Sequence, residues 1–240
     1  MKPAFYAMSP GGWRDYVTLL HPPYTLWHLS YVAIGAGLAA QLDGTRLVET
    51  LLAFFLAMGV GAHALDELNG RPLQTRIPDT TLIALAAVSI GGAAAIGVAL
   101  AFGFSLWLLA FVAFGSFIVV AYNLELFGGR FHSDLWFAVA WGAFPLLTAY
   151  FAMTGRLRAD AAVAALFAAL LSLAQRRLST PVRAVRRRLE SVEGTMVWRD
   201  GREEPVTPAT LTTGVEGALR ALTLATVALG AALLLQHAVR

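Results

Sequence analysis

A bundle of transmembrane α-helices is the fold class this sequence predicts, and three observations predict it. The first is composition: 58% of the 240 residues are hydrophobic and 14% are charged, where soluble domains run near ~45–50% and ~25%. The mean hydropathy is +0.64. The second is that the apolar residues fall into uncharged runs of the roughly 20 residues that a bilayer core of about 30 Å requires. The third is that these runs do not alternate apolar with polar residues, which excludes a β-barrel. The same figures exclude disorder and collagen. The chain has no cysteine, which removes disulfides, thiol catalysis and iron–sulfur ligation.

The elements follow in order. Residues 1–23 form an interfacial segment. Trp13, Tyr16, Leu19 and Leu20 suit a short amphipathic helix, stopped by Pro22-Pro23. A secretory signal is not supported, because Met1 to Leu20 has no uninterrupted apolar core. Residues 24–175 make a bundle of six spans. Tyr24 to Leu42 and Leu47 to Leu65 are the first two. Thr80 to Leu124 carries no charge, and its length predicts two helices turning near Phe102-Gly103-Phe104-Ser105. Leu135 to Gly155 is the fifth, and Leu157 to Gln175 the sixth. Gly91 to Gly97, rich in small residues, would let helices pack closely. Residues 176–214 form an Arg-rich loop. Thr180-Pro181 opens a helix there that ends at Gly194, and Asp200-Gly201 turns a β-hairpin over 195–206. Residues 215–240 give the seventh span.

Orientation follows from arginine placement. With the amino terminus in the cytoplasm, the inner loops hold Arg71, Arg76, Arg130, six arginines from Arg176 to Arg188, Arg199 and Arg202. The outer loops hold Arg46, Arg156 and Arg158. The predicted location is a bacterial cytoplasmic membrane with the site facing the cytoplasm. The pI near 9.6 is then a matter of topology, and nucleic acid is not an expected partner. The Arg176–Arg188 cluster reads as an anchor on anionic lipid, in preference to a phosphate clamp.

Two polar clusters are not explained by burial in lipid. His63, Asp66 and Glu67 share one helix face at the end of span two, followed by Asn69 and Arg71. Tyr122, Asn123, Glu125, Arg130, His132, Ser133 and Asp134 join spans four and five. His28 lies about one turn inside span one, on the same side. Ser133 or Asp134 caps span five. Carboxylates with asparagine and arginine suit Mg²⁺ bridging a diphosphate. Histidines mixed with carboxylates suit iron or zinc instead, with His28, His63, Glu67, Glu125, His132 and Asp134 as the ligand set for one or two ions. The spacings match no strong metal signature.

The organisation resembles the UbiA superfamily of intramembrane prenyltransferases over most of residues 13–155. The resemblance rests on several features: His21-Pro22-Pro23-Tyr24-Thr25 leading into span one, Gly35-Ala-Gly37-Leu-Ala at its end, and the acidic motif at Asp66 with Arg71-Pro72 and Ile77-Pro78. Tyr122, Trp141-Gly142-Ala-Phe-Pro145-Leu, Tyr150 and Thr154-Gly155 complete it. The family's aspartate motif keeps Asp66, has His63 at an earlier aspartate and loses the last, and the family has nine spans where seven are counted here.

The resemblance implies prenyl transfer from a polyprenyl diphosphate to an aromatic or lipid acceptor. Asp66, Glu67, Glu125 and Asp134 would hold Mg²⁺, and Arg71 and Arg130 the phosphates. Asn69, Tyr122 and Asn123 would join the substrate site, with His63 or His132 as base. The expected partners are membrane lipid, an isoprenoid diphosphate and a hydrophobic acceptor. Two other readings stand beside it: a His/carboxylate lipid oxidoreductase, with di-iron one form of its metal centre, and a non-enzymatic lipid-binding subunit that docks a partner through residues 176–214.

Overall fold

A computed structural model describes residues 1–239; Arg240, the last residue of the predicted segment 215–240, lies outside them. The described residues form eight helices and one β-hairpin. The helices are α1 (Trp13–Leu19), α2 (Pro22–Gly37), α3 (Gly44–Leu68), α4 (Asp79–Gly103) and α5 (Leu108–Asn123). Then come α6 (Asp134–Thr154), α7 (Ala159–Arg188), the strands β1 (Thr195–Val197) and β2 (Glu203–Pro205), and α8 (Pro208–Ala238). Five of these, α3, α4, α6, α7 and α8, are long and apolar enough to cross a membrane. Helices α2 and α5 have 16 residues each, about 24 Å at 1.5 Å per residue.

Local sequence explains the boundaries. The Asp43 carboxylate accepts from Arg46 N at 2.9 Å and opens α3. Ser133 Oγ accepts from Trp136 N and opens α6, as one of the two expected caps. Thr207 and Thr210 form a reciprocal capping box, with Pro208 in the first turn of α8. Gly155, at φ +66, ends α6 in the left-handed conformation that favours glycine. Phe104 to Trp107 make the predicted turn between α4 and α5.

Helix α2 is the centre of the bundle. Trp27, Tyr31, Val32 and Ala36 are fully buried on it, and it packs mainly on α6 and α8. Small residues permit the approach. A Cβ on Gly35 would run into the Leu146 backbone of α6, and one on Gly142 would meet the Ala168–Ala169 backbone of α7 at 2.6–2.8 Å. The Gly91–Gly97 stretch contributes less than expected. Gly91 faces open space, and only Gly97 is tight, against a Val112 methyl. Outward-facing Ile83, Val88, Val163, Leu166 and Leu224 are exposed on α4, α7 and α8. That apolar exterior is the surface a lipid-embedded bundle presents.

The helices run between two ends. Arg46 at the start of α3 donates to Ala152 O at the end of α6 (2.9 Å), and Gln236 in α8 donates to Gly37 O (3.1 Å). At the other end Arg186 in α7 makes a bidentate ion pair with buried Glu216 in α8. This second end collects the amino-terminal segment and both polar clusters.

Three expectations change. Pro22 and Pro23 open α2 instead of merely stopping α1. Thr180-Pro181 starts no helix: α7 continues through Pro181 to Arg188. Both Thr180 Oγ1 and Ser179 Oγ donate to Arg176 O, and buried Val182 with the Arg186–Glu216 pair holds the far side in register. Gly194 ends no helix either, since its carbonyl accepts from Val206 N at the base of the hairpin. The hairpin itself is present, with Thr195 paired to Pro205 and Val197 to Glu203 across a turn at left-handed Gly201. At about 45 Å, α7's 30 residues outreach a bilayer core of about 30 Å, so its arginine-rich turns extend past the apolar layer.

Candidate functional site

The site is a chamber of about 410 Å³ at the arginine-rich end. Two widened helical turns aim its side chains. In α3, residues Phe55–Ala62 are π-helical and deliver His63 and Asp66. In α6, Val139–Ala143 are π-helical and contain Trp141. Such turns release backbone carbonyls from the regular ladder, and here side chains take them. His63 Nδ1 bonds Gly59 O at 3.0 Å, and His28 Nδ1 bonds Trp141 O at 2.8 Å. Ser172 Oγ also donates to Trp141 O, at 3.4 Å. His132 Nδ1 bonds Tyr122 O at 3.1 Å, with its ring stacked on Tyr122.

Of the residues singled out in the sequence, the chamber brings together His28, His63, Asp66, Asn69, Tyr122, Asn123, Glu125 and His132. Asn69 Nδ2 donates to Asn123 O and ties the end of α3 to that of α5. Four expected residues lie outside its lining. Glu67 is fully buried and does not line the chamber. Its carboxylate accepts from Leu73 N (2.9 Å), Thr75 N (2.8 Å) and Thr75 Oγ1 (2.9 Å), folding the loop after α3. Arg71 turns away, donating to Ile77 O at 2.6 Å and pairing with Asp79. Arg130 is exposed and outside the chamber. Asp134 pairs with Arg176 Nε at 2.6 Å, on the outer side.

The sequence reading missed three contributors. The first is α7. Arg176, Arg183 and Arg187, spaced 7 and 4 residues apart, fall on one helix face and line the chamber with Arg186 and Arg188. The run is therefore more than a lipid anchor, and that spacing was the signal available. Arg176 is committed to Asp134 and the Tyr122 hydroxyl, and Arg186 to Glu216. Arg183 and Arg187 have no ion-pair partner among the described residues; Arg183 donates to Thr180 Oγ1 and Arg187 to Pro3 O. Both lie within Coulombic reach of Asp66.

The second contributor is the amino-terminal strap. Pro3 to Tyr6 cover the chamber, and Arg220 sits over the Phe5 ring at 4.8 Å. Burial pushes the Tyr6 hydroxyl pKa well above its usual value. The third is His21, in a left-handed turn at φ +45, whose ring stacks on His63 at 4.0 Å. Burial first, and then His63, Arg187 and Arg183, hold the His21 pKa well below the usual imidazole range, so it is neutral at pH 7. Nothing in the spacing of His21 and His63 announces this contact.

A second cavity, apolar and about 90 Å³, lies between α3, α4, α5 and α6, among Phe54, Met58, Leu100, Phe111 and Phe144. Trp141 lines both spaces and stands between the charged chamber and the apolar fissure.

The donor set departs from the ligand sets expected from the sequence. Among the described residues no three His, Asp or Glu side chains are grouped to hold an ion. Glu67 is spent on the loop and Asp134 on Arg176, so neither is free to ligate one.

These features define a helical membrane bundle with a basic, imidazole-lined chamber at one end. Comparison with protein-family models, with curated proteins and with solved structures finds no match.

Proposed function

We propose that the chain is a UbiA-like membrane prenyltransferase that binds an isoprenoid diphosphate, head group in the chamber and hydrocarbon in the fissure. One observation carries the reading: Arg183 and Arg187, which have no ion-pair partner among the described residues, line a chamber that shares Trp141 with an apolar fissure. Guanidinium forks match phosphate oxygens, and the fissure offers a hydrocarbon chain the apolar contact that water denies it. The arginines take the role that the resemblance gave to Mg²⁺. They neutralise the diphosphate as the allylic C–O bond breaks and the leaving group departs with the electron pair. The bundle shields the allylic cation from water until a hydrophobic acceptor captures it, forming the new bond and giving up a proton to Nε2 of His63 or His132. In this reading α2 to α8 cross a bacterial membrane seven times and the chamber faces the cytoplasm, in keeping with the arginine asymmetry. Helices α2 and α5 cross with local thinning of the bilayer.

The test is farnesyl diphosphate binding and diphosphate release by the purified chain in nanodiscs. Replacing Arg183 and Arg187 with Gln should weaken binding more than tenfold, and EDTA should leave binding unchanged. Unaltered affinity in the double variant would sink the reading. The engagement of Glu67 in the loop favours one alternative, a lipid-diphosphate carrier without turnover; binding with no diphosphate release identifies it.

A further inference from the structure

Among the described residues, two buried side-chain polar atoms have no hydrogen-bond partner, His21 Nε2 and Gln175 Oε1. Both residues are more than nine-tenths buried, and both line the chamber. Buried polar atoms are nearly always bonded, and an orphan calls for an explanation. A ligand supplies one here, and the neighbours say which kind.

His28, His63 and His132 each have Nδ1 on a backbone carbonyl. A carbonyl only accepts, so Nδ1 carries the proton and Nε2 is left with a bare lone pair. None of these three Nε2 atoms bonds within the described residues. The Asp66 carboxylate is likewise without a hydrogen bond there. The chamber therefore has two unlike walls. Helix α7 contributes the cationic donors together with the Gln175 acceptor, and α2, α3 and the segment between α5 and α6 contribute the other acceptors. A point cation does not answer the acceptor wall, because its groups are too dispersed to share an ion. Several hydroxyl donors spaced along one molecule do answer it.

We infer that the chamber takes a polyhydroxylated phosphate of the sugar phosphate class, its phosphate on Arg183 and Arg187 and its hydroxyls on the histidines, Asp66 and Gln175. The inference rests on the phosphate-binding role given to the arginines above, and it makes the sugar phosphate a second ligand that competes with the prenyl diphosphate for Arg183 and Arg187. The hydroxyls come either from a soluble sugar phosphate or from its lipid-linked form.

The experiment is calorimetric titration of the whole chain in nanodiscs with glucose 1-phosphate, inorganic phosphate and farnesyl diphosphate. Glucose 1-phosphate should bind at least tenfold more tightly than inorganic phosphate. Gln175→Met and His21→Phe should each shrink that ratio severalfold while leaving inorganic phosphate affinity unchanged. Both variants preserve side-chain bulk and break no bond within the protein, so both should fold. Equal affinity for the two phosphates, or a preference untouched by either variant, would overturn the inference. A polyprenyl-phosphoglucose that displaces glucose 1-phosphate at lower concentration identifies the lipid-linked source, and weaker displacement identifies the soluble one; each supports the subsite. If farnesyl diphosphate binds but the sugar preference is missing, the subsite fails and the prenyl diphosphate reading stands. If the preference appears and farnesyl diphosphate does not bind, the reverse holds.

Discussion

Replacing Glu67 separates a folding role from a chemical one. Its carboxylate satisfies two backbone N–H groups, of Leu73 and Thr75, and the Thr75 hydroxyl. Leu73 and Thr75 are themselves buried, so water does not replace a lost acceptor. Each stranded donor costs about 1–3 kcal/mol. Glu67→Ala strands two backbone donors, which puts its cost at about 2–6 kcal/mol. Glu67→Gln keeps one oxygen and points an NH₂ group at the donors of the other, for roughly half of that loss. The assay is SDS-induced unfolding of the detergent-solubilised chain, followed by circular dichroism. Expected is a graded loss, Ala worse than Gln, without any change in phosphate affinity for the fraction that remains folded. A Gln variant of unchanged stability that no longer binds ligand would refute the loop role and return Glu67 to the chemistry.

Two further predictions concern packing and pH. Gly142→Ala, which forces a methyl into the α7 backbone, should cost about 1–3 kcal/mol by the same assay. Gly91→Ala, with open space at its Cβ, should be neutral or stabilising by up to about 1 kcal/mol; equal effects would mean that the α6–α7 approach is wrong. His21 has a folded pKa far below that of the unfolded chain, so its contribution to stability is complete above about pH 6.5. It should fall as the pH drops below that value, because the unfolded state then binds the extra proton, with a slope of about 1.4 kcal/mol per pH unit. Comparing unfolding at pH 7 and pH 5.5 checks this. His21→Phe should flatten its share of the slope.

The uncharged runs made the helices legible, because a bilayer demands length and apolarity of each span separately. The meeting of His63 and Asp66 with Glu125 and His132 in one chamber was legible as well, since alternating helices must return both clusters to the same end. What escaped depended on contacts between distant parts of the chain. Thr180-Pro181 carries a helix-start signature, and only Glu216, thirty residues beyond Arg186, and the burial of Val182 keep α7 running through it. Glu67 and Asp66 are adjacent acids in the sequence, yet one faces the loop and the other the chamber. Arg183 and Arg187 read as a lipid anchor because the strap that lines the chamber beside them lies at the other end of the chain.

The widened turns in α3 and α6 decide which carbonyls are free and leave the aim of the helix alone. A π-helical stretch holds more residues per turn than the α-helix around it. Removing one residue from Phe55–Ala62 would let that turn relax to 3.6 residues per turn, and because the wide turn already absorbs the extra residue, the helix after it would keep its facing. His63 and Asp66 would still address the chamber. What would go is the carbonyl set free by the wide turn, Gly59 O, which His63 Nδ1 now takes. That bond fixes which ring nitrogen carries the proton, so a single codon lost here would spare the architecture of the bundle and change the tautomer that its chamber presents.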